Sequence, residues 1–250
     1  MTLILALRCQ DGVVLASDSQ ATLATSGQHT REHVDKLHTL VGSLGWGGSG
    51  SGGLIQRIQE RLLREKDLPK VFESQGQEEG AKRLARVVAE IQREAADAFV
   101  DIPKMNAKPE TAGGIFVGLA KGKPFILELD PHGARHFITS SHSAIGSGDL
   151  FATHAMGSVA HYNVTALDLD RALALAYRTV DDAIHNAAYG LGGDVQLLTV
   201  TTRSTHCLAK EEIAPIKDLV ALWKQQESDV LGKLSRAPVP EAPSEDPPSE

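Results

Sequence analysis

The chain has 250 residues, 42% apolar and 23% charged, a balance that excludes a disordered or fibrous polymer and fits one large globular domain or at most two small ones. A net charge of -7 and a pI near 5.8 leave no basic face for a phosphate backbone, so no nucleic-acid partner is expected. Apolar runs such as Leu3 to Leu7 and Val13 to Ala16 fall well short of the roughly 20 residues that cross a bilayer, so no membrane span is expected. No basic-then-apolar leader opens the chain, and its two cysteines are too few for a disulfide scaffold. The expectation is a soluble protein of the reducing cytoplasm.

Thr2 to Cys9 and Val13 to Ser17 are short runs apolar on both faces, and Gln10-Asp11-Gly12 between them is a hairpin signal. Such strands need cover on both sides. A second strand group is expected around Val34 to Leu40 and Val41 to Trp46. A glycine-rich turn then leads into Leu54, Ile55, Ile58, Leu62 and Leu63, which carry helical period. Leu84, Val87, Val88, Ile91, Ala95, Ala98 and Phe99 predict a second helix, broken by Pro103 to Pro109. Strands follow at Gly114 to Ala120 and Pro124 to Leu129, then a strand at Ser143 to Ile145 and helices from about Asp149 and Asp168. Late strands are expected at Val195 to Thr201 and Thr205 to Ala209, before a terminal helix carrying Leu219 to Leu234. Helices and strands come in segregated blocks, which predicts two antiparallel sheets between helical layers. Residues 236–250 hold proline and acid in place of nearly every large apolar residue and read as a disordered tail.

Three residue types suggest chemistry. Thr2 becomes N-terminal once Met1 is removed, and an N-terminal threonine carries a nucleophilic hydroxyl beside an α-amine that titrates near pH 8 and can accept the hydroxyl proton. Asp18 ends an apolar run where an unpaired carboxylate is costly, so it needs a cation. Lys36, in Val34-Asp35-Lys36-Leu37, is the candidate, and a lysine near the amine would lower that amine's pKa. A plain two-residue turn at Asp11-Gly12 pairs Leu5 with Asp18 and Thr2 with Ala21, so a register shift or bulge is needed to bring Asp18 beside Thr2. Spacing leaves this open.

Thr2 to Thr22, TLILALRCQDGVVLASDSQAT, resembles without a gap the N-terminal hairpin of proteasome β-subunits and bacterial HslV peptidases, both N-terminal-nucleophile hydrolases. Gln20-Ala21-Thr22-Leu23 is closest to the HslV branch. Val34-Asp35-Lys36-Leu37 is similar to the segment bearing that family's catalytic lysine. Leu44-Gly45-Trp46-Gly47-Gly48 resembles its glycine turn, and Ala144-Ile145-Gly146-Ser147-Gly148 its serine motif before a helix. The likeness spans roughly residues 2–210.

The resemblance implies an α+β fold, a four-layer αββα sandwich of two antiparallel sheets, as one domain over 2–235 with an added C-terminal helix. It implies a threonine endopeptidase in which Thr2 Oγ1 attacks the peptide carbonyl, the α-amine shuttles the proton through a water, Asp18 orients Lys36, and Ser147 bonds near the amine. The Gly45 N–H would stabilise the oxyanion, with Gly47 as second choice, and Thr22 with Gly45 or Gly47 would line the substrate cleft. No cofactor and no metal are implied. The implied partners are peptides or unfolded proteins, further copies of the chain in a double ring, and an ATP-dependent unfoldase as the family's usual companion. One departure stands out: β-subunits carry an aspartate and a serine where this chain has Ala188 and Leu191. The HslV branch also lacks that pair, and the C-terminal helix and acidic tail, which extend beyond the usual HslV end, favour a divergent bacterial branch such as the betaproteobacterial proteasome homologue.

Other readings compete. Gly45 to Gly50 satisfies G-x-G-x-x-G between a strand and a helix, the context for dinucleotide binding, but no clear ribose-binding acid follows a strand. No lysine followed by Ser or Thr closes a P-loop. His132 and His136 flank a turn rather than forming a metal motif, and Cys9 and Cys207 read as small core residues. A catalytically silent ring scaffold is the non-enzymatic alternative, against which stands the joint presence of Thr2, Asp18, Lys36 and Ser147.

Overall fold

The computed structural model describes residues 2–25, 28–100, 110–131, 133–186 and 190–234. The tail, Pro103 to Pro109, His132 and Ala188 lie outside the described residues.

Strands β1 (Ile4–Cys9) and β2 (Gly12–Asp18) form the expected hairpin, and every residue of β2 is buried. The register differs from the simple expectation. The turn is Gln10-Asp11, with Cys9 opposite Gly12 and Ile4 opposite Ser17. Gly12 therefore belongs to β2, where an added Cβ would lie 2.0 Å from the Val200 carbonyl oxygen; the glycine lets a third strand approach this closely. The slide keeps each side chain on its face, because it is an even number of residues.

The polar segment after Asp18 forms a second hairpin that apolar patterning did not predict, β3 (Gln20–Thr25) with β4 (Gln28–His33). Strand β5 is short (Leu37–Thr39), and residues 34–36 before it belong to no strand. The glycine run expected as a turn is strand β6 (Leu44–Gly50). Long-range pairing explains this: Gly45, Gly47 and Gly48 sit opposite Val117, Ile115 and Gly114 of β7 (Ala112–Ala120), which continues into β8 (Lys123–Leu129) and β9 (Arg135–Phe137). The G-x-G-x-x-G segment is thus a paired strand and not a phosphate-cradling loop.

Helices α1 (Gly52–Arg64), α2 (Leu68–Ser74) and α3 (Gln77–Val100) follow β6. Pro69 stands in the first turn of α2, where its missing N–H costs nothing. Strand β10 (His142–Ile145) leads into α4 (Asp149–Ser158) and α5 (Leu169–Asn186). Strands β11 (Val195–Thr201) and β12 (Thr205–Cys207) precede α6, which starts well before Leu219 and runs Lys210–Leu234.

The strands form two five-stranded antiparallel sheets, β10-β1-β2-β11-β12 and β5-β6-β7-β8-β9. Period-two alternation divides their side chains between layers. Ile4, Ala6, Val13 and Leu15 face the other sheet, meeting Ile115, Val117 and Ile126. Leu3, Leu5, Leu7, Val14 and Ala16 face outward, under α4, α5 and α6. On the opposite face Trp46, Phe116 and Leu127 lie under α1 to α3. The chain is a four-layer αββα sandwich of the α+β class. Burial on both faces explains why the strands read as unbroken apolar runs instead of alternating ones. Helix α6 docks through buried Val220 and through Arg178 of α5, which lies 4.1 Å over the Trp223 ring and bonds Glu227 with both terminal nitrogens.

Candidate active site

The observed register places Asp18 opposite Leu3, next to Thr2. Asp18 is fully buried, and its Oδ1 accepts the Leu3 N–H at 2.9 Å and the Lys36 ammonium at 2.7 Å. Its Oδ2 accepts the Gln20 N–H at 3.3 Å and the Gly192 N–H at 3.4 Å. Both oxygens are therefore satisfied, as a buried carboxylate requires. Because Leu3 and Lys36 share one oxygen, the lysine head is held within one residue of Thr2.

Burial, with Lys36 only 6% exposed, pushes its ammonium below the ordinary lysine range against the pull of the Asp18 carboxylate. Between that lowered value and the ordinary 10.5 the native state binds fewer protons than the unfolded chain, so its stability rises with pH across the window. The cost of burying the charge is fully present below the native pKa and fades above it. Lys36→Met should abolish the rise. Urea midpoints of both chains between about pH 8 and about pH 10 check this, and parallel curves would sink it.

Thr2 is pinned from the other side by the turn after β10. Ile4 pairs with Ile145, a register that carries Ser147 opposite Thr2. Thr2 N–H donates to Ser147 Oγ at 3.1 Å, and Gly148 N–H donates to the Thr2 carbonyl at 3.1 Å. Just before Ser147 and Gly148 lies Gly146, at φ +95°, where a Cβ would stand 2.2 Å from the Thr2 oxygen. Glycine is required here by contact and by backbone alike. Thr2 itself is half-buried and Ser147 exposed, so this end of the site is reachable while the ion pair beneath it is not.

Strand β6 supplies backbone groups, and parity decides which. Residues of an antiparallel ladder alternate between pairs that exchange hydrogen bonds and pairs that do not. Leu40 N–H bonds the Leu44 carbonyl, so Leu44, Trp46 and Gly48 direct their backbone groups toward the β5 side. Ser51 N–H bonds the Thr111 carbonyl, so Ser49, Gly47 and Gly45 direct theirs toward β7. The Gly45 N–H is consequently engaged within the sheet, where a Cβ on Gly45 would meet Leu198 and Thr205, away from Thr2. Gly47 stands over Ile4, with its N–H likewise turned to β7. Pairing with β5 ends at Leu37–Gly47, which leaves the Gly48 N–H at an edge without a strand partner among the described residues. Next along, Ser49 Oγ lies against Gly146, beside Thr2. By this parity the N–H groups of Gly45 and Gly47 turn to β7, and those of Gly48 and Gly50 to the opposite side. Thr22 lies on β3 opposite Arg31.

Leu191 is buried against Gly148, so an apolar side chain fills the place where β-subunits carry a polar one. Gln196 of β11 was not singled out from the sequence. Its Oε1 accepts the Lys36 N–H at 2.9 Å, and its Nε2 donates to the Val34 carbonyl at 2.9 Å. The available signal was a lone glutamine in the otherwise apolar run Val195-Gln196-Leu197-Leu198. Cys9 is buried as expected, whereas Cys207 is a surface residue of the short edge strand β12 and not a core residue; burial of the sulfur pushes both thiols up, away from thiolate chemistry.

Comparison with known proteins bears on this arrangement directly. The family model for proteasome subunits matches residues 2–200. The chain belongs to the proteasome subunit family. A proteasome subunit beta of Methanosphaera stadtmanae is 24% identical over 209 residues, covering 84% of this chain and 91% of the relative. Proteasome subunit beta 2 of Pyrococcus furiosus is 26% identical over 200 residues, covering 80% and 87%. Among solved structures, an Anbu (Gly-1) mutant from Hyphomicrobium sp. strain MC1 superposes with a TM-score of 0.66 at 17% identity, covering 94% of this chain and all of that one, which supports the fold. The family is one of peptidases at its coarsest description, and within it Thr2, Asp18, Lys36 and Ser147 of this proteasome-family chain converge on one end of the hairpin. Among the described residues no helix is long and apolar enough to cross a membrane.

Proposed function

We propose that this chain is a threonine endopeptidase that uses Thr2, freed by removal of Met1, to hydrolyse peptide bonds of unfolded polypeptides. The observation that carries the reading is the shared Asp18 oxygen, which holds the Lys36 ammonium and the Leu3 N–H together beside Thr2. Thr2 Oγ attacks the scissile carbonyl carbon while its proton passes to the free α-amine. Lys36 lowers the energy of the developing alkoxide. The tetrahedral intermediate collapses, expelling the leaving amine with that proton, and water then hydrolyses the ester by the same route. Ser147 Oγ holds the α-amine in place. The Gly48 N–H is the oxyanion donor, a contact whose loss in other enzymes costs about two to three orders of magnitude in rate.

Substrate would lie extended along the open edge of β6 beyond Gly47, pairing main chain to main chain, with Thr22 of β3 as a further contact. A homo-oligomeric double ring enclosing the sites would restrict entry to unfolded chains, fed by an ATP-dependent unfoldase, in the cytoplasm. A crystal structure of the peptide-epoxyketone adduct tests the assignment. The former ketone oxygen should lie about 2.7–3.1 Å from the Gly48 nitrogen. An adduct oxygen bonded instead at Gly45 would refute the donor, and the absence of any adduct would refute the nucleophile.

A further inference from the structure

The lysine of this site is delivered by a stretch of chain with no ladder of its own. Strand β4 ends at His33 and β5 begins at Leu37, and residues 34–36 between them are irregular. The Lys36 ammonium is fixed by Asp18, but a long side chain held only at its tip can still approach from many backbone positions. A primary amide grips the backbone of this segment. Gln196 Oε1 accepts the Lys36 N–H at 2.9 Å and the Ser17 hydroxyl at 3.3 Å, while Nε2 donates to the Val34 carbonyl at 2.9 Å and Asp35 Oδ1 at 3.1 Å. Val34 N–H adds one further anchor, to the Ser19 carbonyl at 2.8 Å.

All four hydrogen-bonding positions of that amide are used, and they also define its orientation. Turned over, it would set its oxygen against the Val34 carbonyl and its NH2 against the Lys36 N–H. Gln196 sits opposite Ser17 in the β2–β11 ladder, and its neighbour Val195 sits opposite Asp18. The acid and the backbone of its lysine are therefore referenced to one and the same strand pair. We propose that Gln196 is a positioning residue for Lys36, placing the ammonium against Thr2 by gripping the segment 34–36 on both sides of Asp35. This rests on the threonine-peptidase reading. A displacement of about 1 Å in a reacting group can lower a rate by roughly two orders of magnitude, so loss of the grip should appear in the chemical step.

Glutamine is demanded by this role. Methionine keeps the shape but neither accepts from Lys36 nor donates to Val34. Glutamate keeps the acceptor for the Lys36 N–H but turns its second oxygen toward the Val34 carbonyl and the Asp35 carboxylate, where both contacts become repulsive. Asparagine is one methylene too short to span the gap.

The test measures kcat and KM on a fluorogenic peptide, and the rate of epoxyketone adduct formation, per folded chain for wild type, Gln196→Met and Gln196→Glu. Gln196→Met and Gln196→Glu should each lower kcat and the adduct rate about 10- to 100-fold at unchanged KM. Should Gln196→Met fail to fold, Gln196→Glu alone decides, since it keeps shape and one of the grips; a several-fold fall in kcat supports the role. Wild-type kcat in the folded variants overturns it, as does a change confined to KM. A wild-type chain silent toward both peptide and probe sinks the peptidase reading and this proposal with it, whereas an active wild type matched by both variants sinks the proposal alone.

Discussion

Thr2→Ala should abolish peptide turnover, by at least about 10⁴-fold, while leaving the fold and its thermal transition in place. Two facts make these outcomes separable. On the proposed mechanism the nucleophile is the side-chain oxygen alone, so its removal eliminates the covalent route rather than weakening it. The structural bonds of Thr2 are made by its backbone, through its N–H to Ser147 and its carbonyl from Gly148, and alanine keeps both. The measurement is intact mass before and after incubation with a peptide epoxyketone, which forms its ring adduct from the hydroxyl and the α-amine together. Wild type should appear without Met1 and gain one adduct per chain; Thr2→Ala should gain none. Turnover surviving in Thr2→Ala would refute the mechanism. A wild type that has lost Met1 yet takes no adduct would instead support the silent ring scaffold.

Removing the charge at Asp18 should be nearly as damaging, and it should act on stability as well as on rate. Asp18→Ala strips the partner from Lys36, which is 6% exposed, and leaves the N–H groups of Leu3, Gln20 and Gly192 without their acceptor. An uncompensated buried charge of this kind costs about 3–5 kcal/mol, against a total stability of only about 5–15 kcal/mol for a typical domain. Asp18→Asn keeps the shape but presents an NH2 to donors at one of its two ends, whichever way it turns. It should therefore fold with a lowered urea midpoint and lose at least about 100-fold in kcat, because Lys36 is no longer drawn toward Thr2. Denaturation curves with unchanged slope, alongside kcat on the folded protein, separate the two effects. Asp18→Asn with wild-type kcat would show that the ion pair does not serve the chemistry.

Both expectations draw on residues that were visible before any folding was considered. Asp18 stood out as a carboxylate in an apolar run that demands a cation, and Thr2 and Lys36 gained meaning from it and from the likeness to the proteasome hairpin. The β1–β2 hairpin was visible as two apolar runs around a turn, and α1, α3 and α5 as helical periods. The hairpin of β3 and β4 was not, since Gln28 to His33 has no large apolar residue whose alternation could mark a strand.

Local pattern determined the candidate reacting groups and the order of layers, because periodicity, turn chemistry and burial cost act over a few residues. The tertiary structure decided how those groups meet. The turn could close at Gln10-Asp11 or Asp11-Gly12 with the same faces buried, and only packing against β11, where Val200 approaches Gly12, selects the one that sets Asp18 opposite Leu3. Gly45, Gly47 and Gly48 are alike in composition and differ in use because pairing with β5 and β7 turns their N–H groups to opposite sides. Gln196 lies 160 residues from Lys36 along the chain, and its grip exists only once β2 and β11 have paired. A hydrogen bond's direction and partner belong to the assembled sheet, and no window of neighbouring residues contains them.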